Sequence, residues 1–316
     1  MSAPRVVVFA YSDVGHDCLA LLLERGVNVV ALYSHADNPA EKIWFPSASK
    51  LAHDAGIPVR LDADLKSPRD LADLQALEPE LLLSFYYRDL IPQPALETVR
   101  LGAFNMHGSL LPKFRGRAPV NWAVALGARE TGATLHVMTQ LADAGDIVDQ
   151  EAVAIGPDDT AFEVQARVRE AAVRVLSRQL DAMLAGTAPR KPQDHAAATK
   201  FGRRKPADGE IDWSRPAADI HNLVRAVSHP YPGAFTRLGA DTLYIWRTKR
   251  DDRAAPEPRP KPGSIRAEGT LAVAFAGDGR RLDLLRAQVN DEPELGGAAL
   301  AERLQTLTTK LQAGPA

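Results

Sequence analysis

The first hundred residues alternate short apolar runs with stretches whose apolar positions recur at helical spacing. Arg5–Ala10 (RVVVFA) and Val27–Tyr33 (VNVVALY) are rich in β-branched residues and predict central strands buried on both faces. Between them Val14–Arg25 predicts a helix, stopped by Gly26, which tolerates the left-handed conformation common just past a helix end. The same reading gives helices at Pro46–Ala55 and Pro68–Leu77, and strands at Ile57–Leu61, Glu80–Tyr86 and Gly102–His107. Alternation of this kind implies a mostly parallel sheet covered on both faces, a Rossmann-like doubly wound α/β fold. Ligands in such sheets bind beyond the carboxyl ends of the strands.

Further along, Ala133–Gln140 predicts a strand and residues 141–147 a tight loop. Asp159–Leu184 predicts the longest helix, its N-terminus favoured by Asp158 and Asp159. Thr187–Lys205 loses periodicity and gathers Pro189, Pro192 and basic residues, so it reads as a linker. After it comes one helix, Pro216–Ser228, and then five short strands: Phe235–Leu238, Thr242–Arg247, Gly263–Arg266, Leu271–Ala276 and Leu282–Gln288. Several short strands separated by turns predict a small OB-like β-barrel. The expected domains are 1–200 and 201–316.

Composition narrows the class. A chain of 316 residues has room for two domains, and 45% apolar with 25% charged residues excludes general disorder. No stretch approaches the roughly 18–20 apolar residues of a membrane span, and the N-terminal apolar run is too short for a signal peptide. A single cysteine, Cys18, excludes an internal disulfide and any cysteine-cluster metal site. The net charge of −2 nominates neither nucleic acid nor a membrane as partner, and Arg203-Arg-Lys205 reads as solvated linker. A soluble, cytoplasmic protein is expected.

A dinucleotide site fails on inspection, because Tyr11-Ser-Asp-Val-Gly15 has one glycine where the fingerprint needs three. The segment Phe104-Asn-Met-His-Gly-Ser-Leu-Leu-Pro-Lys-Phe-Arg-Gly-Arg-Ala-Pro119 is more promising. Asn105 and His107 alternate with Phe104 and Met106, so on a strand both point to one face, at the end where a ligand sits. A histidine there acts as a general acid or an oxyanion donor, and the asparagine amide adds a second donor. The plainer reading is a core histidine satisfied by a carbonyl, with Asn105 fixing a turn. In the 141–147 loop, Asp143 or Asp146 has the reach to orient His107 and raise its basicity, although Asp143-Ala-Gly145 also suits an ordinary turn. A metal held by His107, His136 and Asp143 is not expected, since His136 lies mid-strand without helical ligand spacing. Arg115 and Arg117 are candidates to clamp a phosphate, or solvated loop charges.

Asn105-x-His107, the Gly-Ser-Leu-Leu-Pro-Lys and Arg-Gly that follow, and Asp143-Ala-Gly-Asp-Ile together resemble the 10-formyltetrahydrofolate-dependent formyltransferase family. The resemblance implies Asn105, His107 and Asp143 as the catalytic trio and 10-formyltetrahydrofolate as co-substrate, without a metal. It implies that 1–200 is the formyltransferase catalytic domain. Folate binding falls to the backbone around Asp89, Leu90 and Ile91 and around Thr139, Gln140, Leu141, Ala142 and Asp143. Arg117 is implied in binding the phosphate of a nucleotide-sugar acceptor.

Phe9-Ala-Tyr-x-Asp13, His35-Ala-Asp-Asn-Pro-Ala-Glu-Lys42, Ser84-Phe-Tyr-Tyr-Arg88, Phe201-Gly-Arg-Arg204, Asn222–Val227 and Pro232-Gly-Ala-Phe235 are similar to one branch of that family. That branch formylates the 4-amine of UDP-4-amino-4-deoxy-L-arabinose for lipid A modification, which confers polymyxin resistance. These residues carry no counterpart of the dehydrogenase fused to a member of the branch. The alternatives are another nucleotide-linked amino sugar or methionyl-tRNA as acceptor. The small charge of the chain and a Ser34–Pro46 loop whose basic residue is Lys42, besides His35, argue for the smaller acceptor over tRNA.

Overall fold

The computed structural model describes residues 3–313 except Ala40, Lys42, Asp252, Ala254 and Ala255, so Lys42 of the loop just discussed lies outside the described residues. The chain forms two compact units, one of residues 1–119, 130–154 and 165–202, the other of 120–129, 155–164 and 203–316.

In the first unit β1 (Val6–Ala10), α1 (Ser12–Glu24), β2 (Val29–Ser34), α2 (Ala48–Asp54), β3 (Val59–Leu61), α3 (Pro68–Ala76) and β4 (Leu81–Phe85) alternate as the apolar pattern requires. Gly26, just past α1, takes φ +65°, the conformation its placement called for. A short α4 (Gln93–Leu96) leads into β5 (Gly102–His107), followed by β6 (Arg115–Gly116) and then α5 (Pro119–Ala125), whose residues from 120 on belong to the second unit. Next come β7 (Glu130–Val137), β8 (Ile147–Ala154), α6 (Ala161–Leu184) and β9 (Lys200–Phe201).

The main sheet has the order β3-β2-β1-β4-β5-β7-β8. Its first five strands are parallel, and β7 and β8 are antiparallel to their neighbours. Every residue of β1 and β4 is buried, as strands covered on both faces must be. Val7, Phe9, Tyr33, Leu74 and Leu82 pack together on one face, anchoring α3 against β1, β2 and β4. The strand order reverses between β1 and β4, the place where such sheets open a crevice.

The second unit contains α7 (Ala217–Val227), β10 (Ala234–Leu238), β11 (Asp241–Arg250), β12 (Ile265–Glu268), β13 (Leu271–Phe275), β14 (Arg281–Val289) and α8 (Gly297–Ala313). The expected small antiparallel β domain is a five-stranded sheet of order β10-β11-β14-β13-β12. The sequence reading left residues 297–313 without an element. Leu300, Ala301, Leu304 and Leu307 are nevertheless buried at helical spacing, as a helix lying on this sheet requires.

Candidate active site

Period-two alternation along β5 turns Phe104 and Met106 into the core and Asn105 and His107 to the opposite face. Asn105 lies directly across from His136 of β7, so all three polar side chains share that face. The loop between β7 and β8 folds back over it. There Asp143 Oδ1 stands 3.5 Å from His107 Nδ1 and 3.6 Å from His136 Nε2. The Asn105 amide nitrogen is 3.1 Å from His136 Nε2. The structure therefore brings together Asn105, His107 and Asp143, and adds His136, which the sequence reading weighed only as a metal ligand.

Carbonyl acceptors dictate where the protons sit. His107 Nε2 donates to the Phe114 carbonyl at 2.8 Å, which leaves Nδ1 facing the Asp143 carboxylate. His136 Nδ1 donates to its neighbouring Val137 carbonyl at 2.9 Å. Its Nε2 accepts from the Asn105 amide when the ring is neutral and donates to Asp143 when the ring is charged. Burial by itself would raise the Asp143 carboxyl. The positive charge of His107, the His136 contact and the Gly116 amide outweigh it and hold the carboxyl well below the usual carboxylate range. The site thus contains an ionised acid flanked by two histidines at the end of a buried strand.

The other carboxylate oxygen, Oδ2, accepts the backbone N–H of Gly116 at 2.8 Å. β6, which contains Gly116, is held by a parallel pairing with β9. Here a glycine is required, because φ is +98° and a Cβ would stand 2.2 Å from the Phe201 carbonyl oxygen. Asp143 itself sits at φ +56° and Phe114 at φ +58°, so two of the groups forming the cluster occupy sparsely populated backbone conformations. Asp146, the alternative carboxylate, makes no ion pair with either histidine among the described residues; its carbonyl accepts from Val137 N–H at 2.9 Å.

The segments tied to folate by resemblance lie after β4 and after β7. Asp89 and Leu90 are exposed and Ile91 packs partly against the core cluster. Thr139, Gln140 and Leu141 are exposed, Ala142 and Asp143 are half-buried, and the Thr139 hydroxyl donates to the Leu141 carbonyl at 3.0 Å. Leu90 (69% exposed) and Leu141 (72%) are among the few large apolar side chains left in water. Arg117 is exposed and donates to the Arg88 carbonyl at 2.6 Å, and Arg115 is half-buried against Gln193 and His195.

Beyond the carboxyl ends of β1 and β2 there is a cavity of about 160 Å³ lined by Tyr11, Ser12, His35, Asp37 and Phe45 among others. Tyr11 donates to Asp37 at 2.9 Å, and His35 stacks on Tyr87 at 4.2 Å. Burial lowers the His35 pKa, and its Nε2 accepts the Arg88 amide at 3.0 Å. Among the described residues no group of three or more His, Cys, Asp or Glu is arranged to hold a metal, and no helix is long and apolar enough to cross a membrane.

A doubly wound sheet whose buried edge presents an amide, two imidazoles and an ionised carboxylate has the equipment for acid–base group transfer at a carbonyl centre. Residues 5–180 match the formyl transferase family model and 203–305 that of the formyl transferase C-terminal domain, so the chain belongs to the formyl transferase family. Among solved structures it is similar to WlaRD, a sugar 3N-formyl transferase determined with dTDP and 5-N-formyl-THF. That match has 16% identity and a TM-score of 0.70 over 93% of this chain and 100% of the other. An N-formyltransferase from Helicobacter canadensis, in complex with folinic acid and dTDP-3-aminofucose, matches at 17% identity and TM-score 0.71, covering 90% and 99%. HypX from Aquifex aeolicus, in complex with tetrahydrofolic acid, matches at 18% identity and TM-score 0.63, with 95% of this chain spanning 47% of that one. At these identities the likeness is one of fold.

Proposed function

We propose that the chain transfers the formyl group of 10-formyltetrahydrofolate to the 4-amine of UDP-4-amino-4-deoxy-L-arabinose. The observation that carries this reading is the Asn105–His136–Asp143–His107 cluster, in which two buried histidines flank a half-buried, ionised carboxylate. The neutral sugar amine attacks the formyl carbon, forming the new C–N bond and a tetrahedral oxyanion. In this reading the Asn105 amide donates to that oxygen, and His107 acts as the second donor when its Nε2–H turns from the Phe114 carbonyl, with Asp143 facing Nδ1 and orienting the ring. The oxyanion collapses, the bond to folate N10 breaks, and the proton lost by the amine is relayed through Asp143 and the histidines to N10. The products are the sugar formamide and tetrahydrofolate, and no oxidant or metal enters the balance.

The folate pterin meets the backbone at Asp89–Ile91 and Thr139–Asp143, where exposed Leu90 and Leu141 offer apolar surface to a planar ring. Arg117 meets the nucleotide phosphate. A nucleotide-linked amino sugar as acceptor is supported by similar solved structures determined with dTDP or a dTDP-amino sugar and by a net charge of −2 that suits a small anion better than tRNA, and the UDP-arabinose amine in particular by the sequence stretches quoted above. The reaction belongs to the cytoplasm, and its product to lipid A modification and polymyxin resistance.

The test offers purified protein 10-formyltetrahydrofolate with UDP-4-amino-4-deoxy-L-arabinose, dTDP-linked amino sugars and Met-tRNA, across about 50–200 mM salt and with added UDP. Preferred formylation of the UDP-arabinose amine, mildly salt-dependent and inhibited by UDP, is the expected result. Efficient formylation of Met-tRNA, falling steeply with salt and indifferent to UDP, would overturn the acceptor.

A further inference from the structure

We propose that Gln193 is a positioning residue for this reaction, fastening to one another the two loops that carry Asp143 and its Gly116 partner. The inference rests on the formyl-transfer reading above. Gln193 lies in Thr187–Lys205, which the sequence presents as an aperiodic linker. In the folded protein this stretch runs along the site. Lys191 exchanges both backbone hydrogen bonds with Ile147, at 2.8 and 2.9 Å. The Thr199 hydroxyl accepts the Phe114 N–H, and the Thr199 carbonyl accepts the Arg115 N–H, each at 2.8 Å.

Gln193 is 6% exposed, and both ends of its carboxamide are engaged. The amide nitrogen donates to the Asp143 carbonyl at 3.0 Å and to the Gly145 carbonyl at 2.7 Å. The amide oxygen accepts Arg115 Nη2 at 2.6 Å. The first bond holds the carbonyl of Asp143 itself, whose left-handed φ of +56° a free aspartate seldom keeps, and the second holds the carbonyl of Gly145 two residues on in the same loop. The third holds the residue before Gly116, whose N–H receives the Asp143 carboxylate. The carbonyl and the carboxylate of Asp143 are therefore anchored through the same side chain. A carboxamide suits this position and glutamate does not, because a carboxylate can accept from Arg115 but would face two carbonyl oxygens with no proton to offer.

The experiment compares Gln193→Met, which keeps length without hydrogen bonds, and Gln193→Glu with wild type, alone and combined with Asp143→Asn. Circular dichroism and thermal melting report folding. The expected result is KM for both substrates within about threefold and kcat lowered about 10–100-fold, the scale of a small displacement at the reacting centre. In the Asp143→Asn background Gln193→Met should cost less than about threefold more, because no carboxylate is left to place. A second readout needs no substrate: carbon NMR of the Asp143 carboxyl. The titratable groups facing it are His107 and His136. It should titrate at higher pH in Gln193→Met than in wild type, because the carboxylate loses its placement against those histidines and the Gly116 N–H.

A folded Gln193→Met enzyme with kcat within twofold of wild type, a full multiplicative loss in the Asp143→Asn background, or an unchanged carboxyl titration would each overturn the proposal. Were Gln193→Met not to fold, the same measurements on Gln193→Glu, which retains the Arg115 contact, decide it. Absence of formyl transfer by wild type would sink the functional reading, while the NMR titration still judges the tether.

Discussion

Replacing Gly116 by alanine tests how tightly the cluster depends on its backbone. The added Cβ would stand 2.2 Å from the Phe201 carbonyl oxygen, and φ is +98°. An ordinary C···O contact is about 3.3 Å or more, so β6 must retreat by roughly 1 Å. The 2.8 Å bond from Gly116 N–H to Asp143 Oδ2 would then stretch to about 3.8 Å, outside hydrogen-bonding range. A bond to a charged group is worth about 1.5–3 kcal/mol. Forcing alanine into this backbone region adds about 1–2 kcal/mol. The expected destabilisation is thus roughly 2.5–5 kcal/mol, with kcat down about 100-fold from the displaced carboxylate. Thermal unfolding and steady-state kinetics well below the melting temperature measure both. Gly202→Ala is the control, because a Cβ there meets nothing within 4 Å. A Gly116→Ala protein with unchanged melting temperature and kcat within twofold of wild type would refute the reasoning.

Four further outcomes follow from the structure. Asn105→Ala and His107→Ala should each cost about 10²–10³ in kcat, on the order of 2.7–4 kcal/mol, with much smaller changes in KM; a folded His107→Ala enzyme within a few-fold of wild type would remove its proposed role. Asp143→Asn should be nearly inactive while Asp146→Asn keeps most activity, and the reverse ranking would reassign the carboxylate. Because its neighbours depress the folded-state pKa of Asp143 despite burial, the stability it contributes is present above the unfolded carboxylate value of about 3.9 and is lost as pH falls through the lower folded value. The stability gap between wild type and Asp143→Asn, followed by denaturant unfolding, should therefore narrow on acidification from about pH 6 to 3, and a widening gap would contradict the assignment. Tyr33 is 1% exposed with a hydroxyl that has no hydrogen-bond partner among the described residues, so Tyr33→Phe should stabilise by about 1 kcal/mol in calorimetry, and a loss of that size would show the hydroxyl is satisfied.

Much of the framework was legible in the chain because it depends on local periodicity. RVVVFA and the run around Leu81–Phe85 can only be strands covered on both sides, and the strand–helix alternation leaves little choice but a parallel sheet. Asn105 and His107 share a face because they are two residues apart on β5. The helix over 297–313 was equally legible from Leu300, Leu304 and Leu307 and was missed. Periodicity is silent where position is set by contacts distant in sequence. No spacing rule connects His136 with Asn105 before the antiparallel register of β5 and β7 exists. The choice of Asp143 over Asp146 follows from how the β7–β8 loop folds back, with Gly116 holding one carboxylate oxygen and the two histidines facing the other. The stretch around Gln193 is aperiodic because it packs through backbone and amide hydrogen bonds rather than an apolar face, so its composition resembles a linker while its contacts support the site. Local sequence determined the strands and which way their side chains point. The separations among Asp143, His107 and His136, on which the electrostatics of the site depend, were decided only when the tertiary structure closed two loops over one strand.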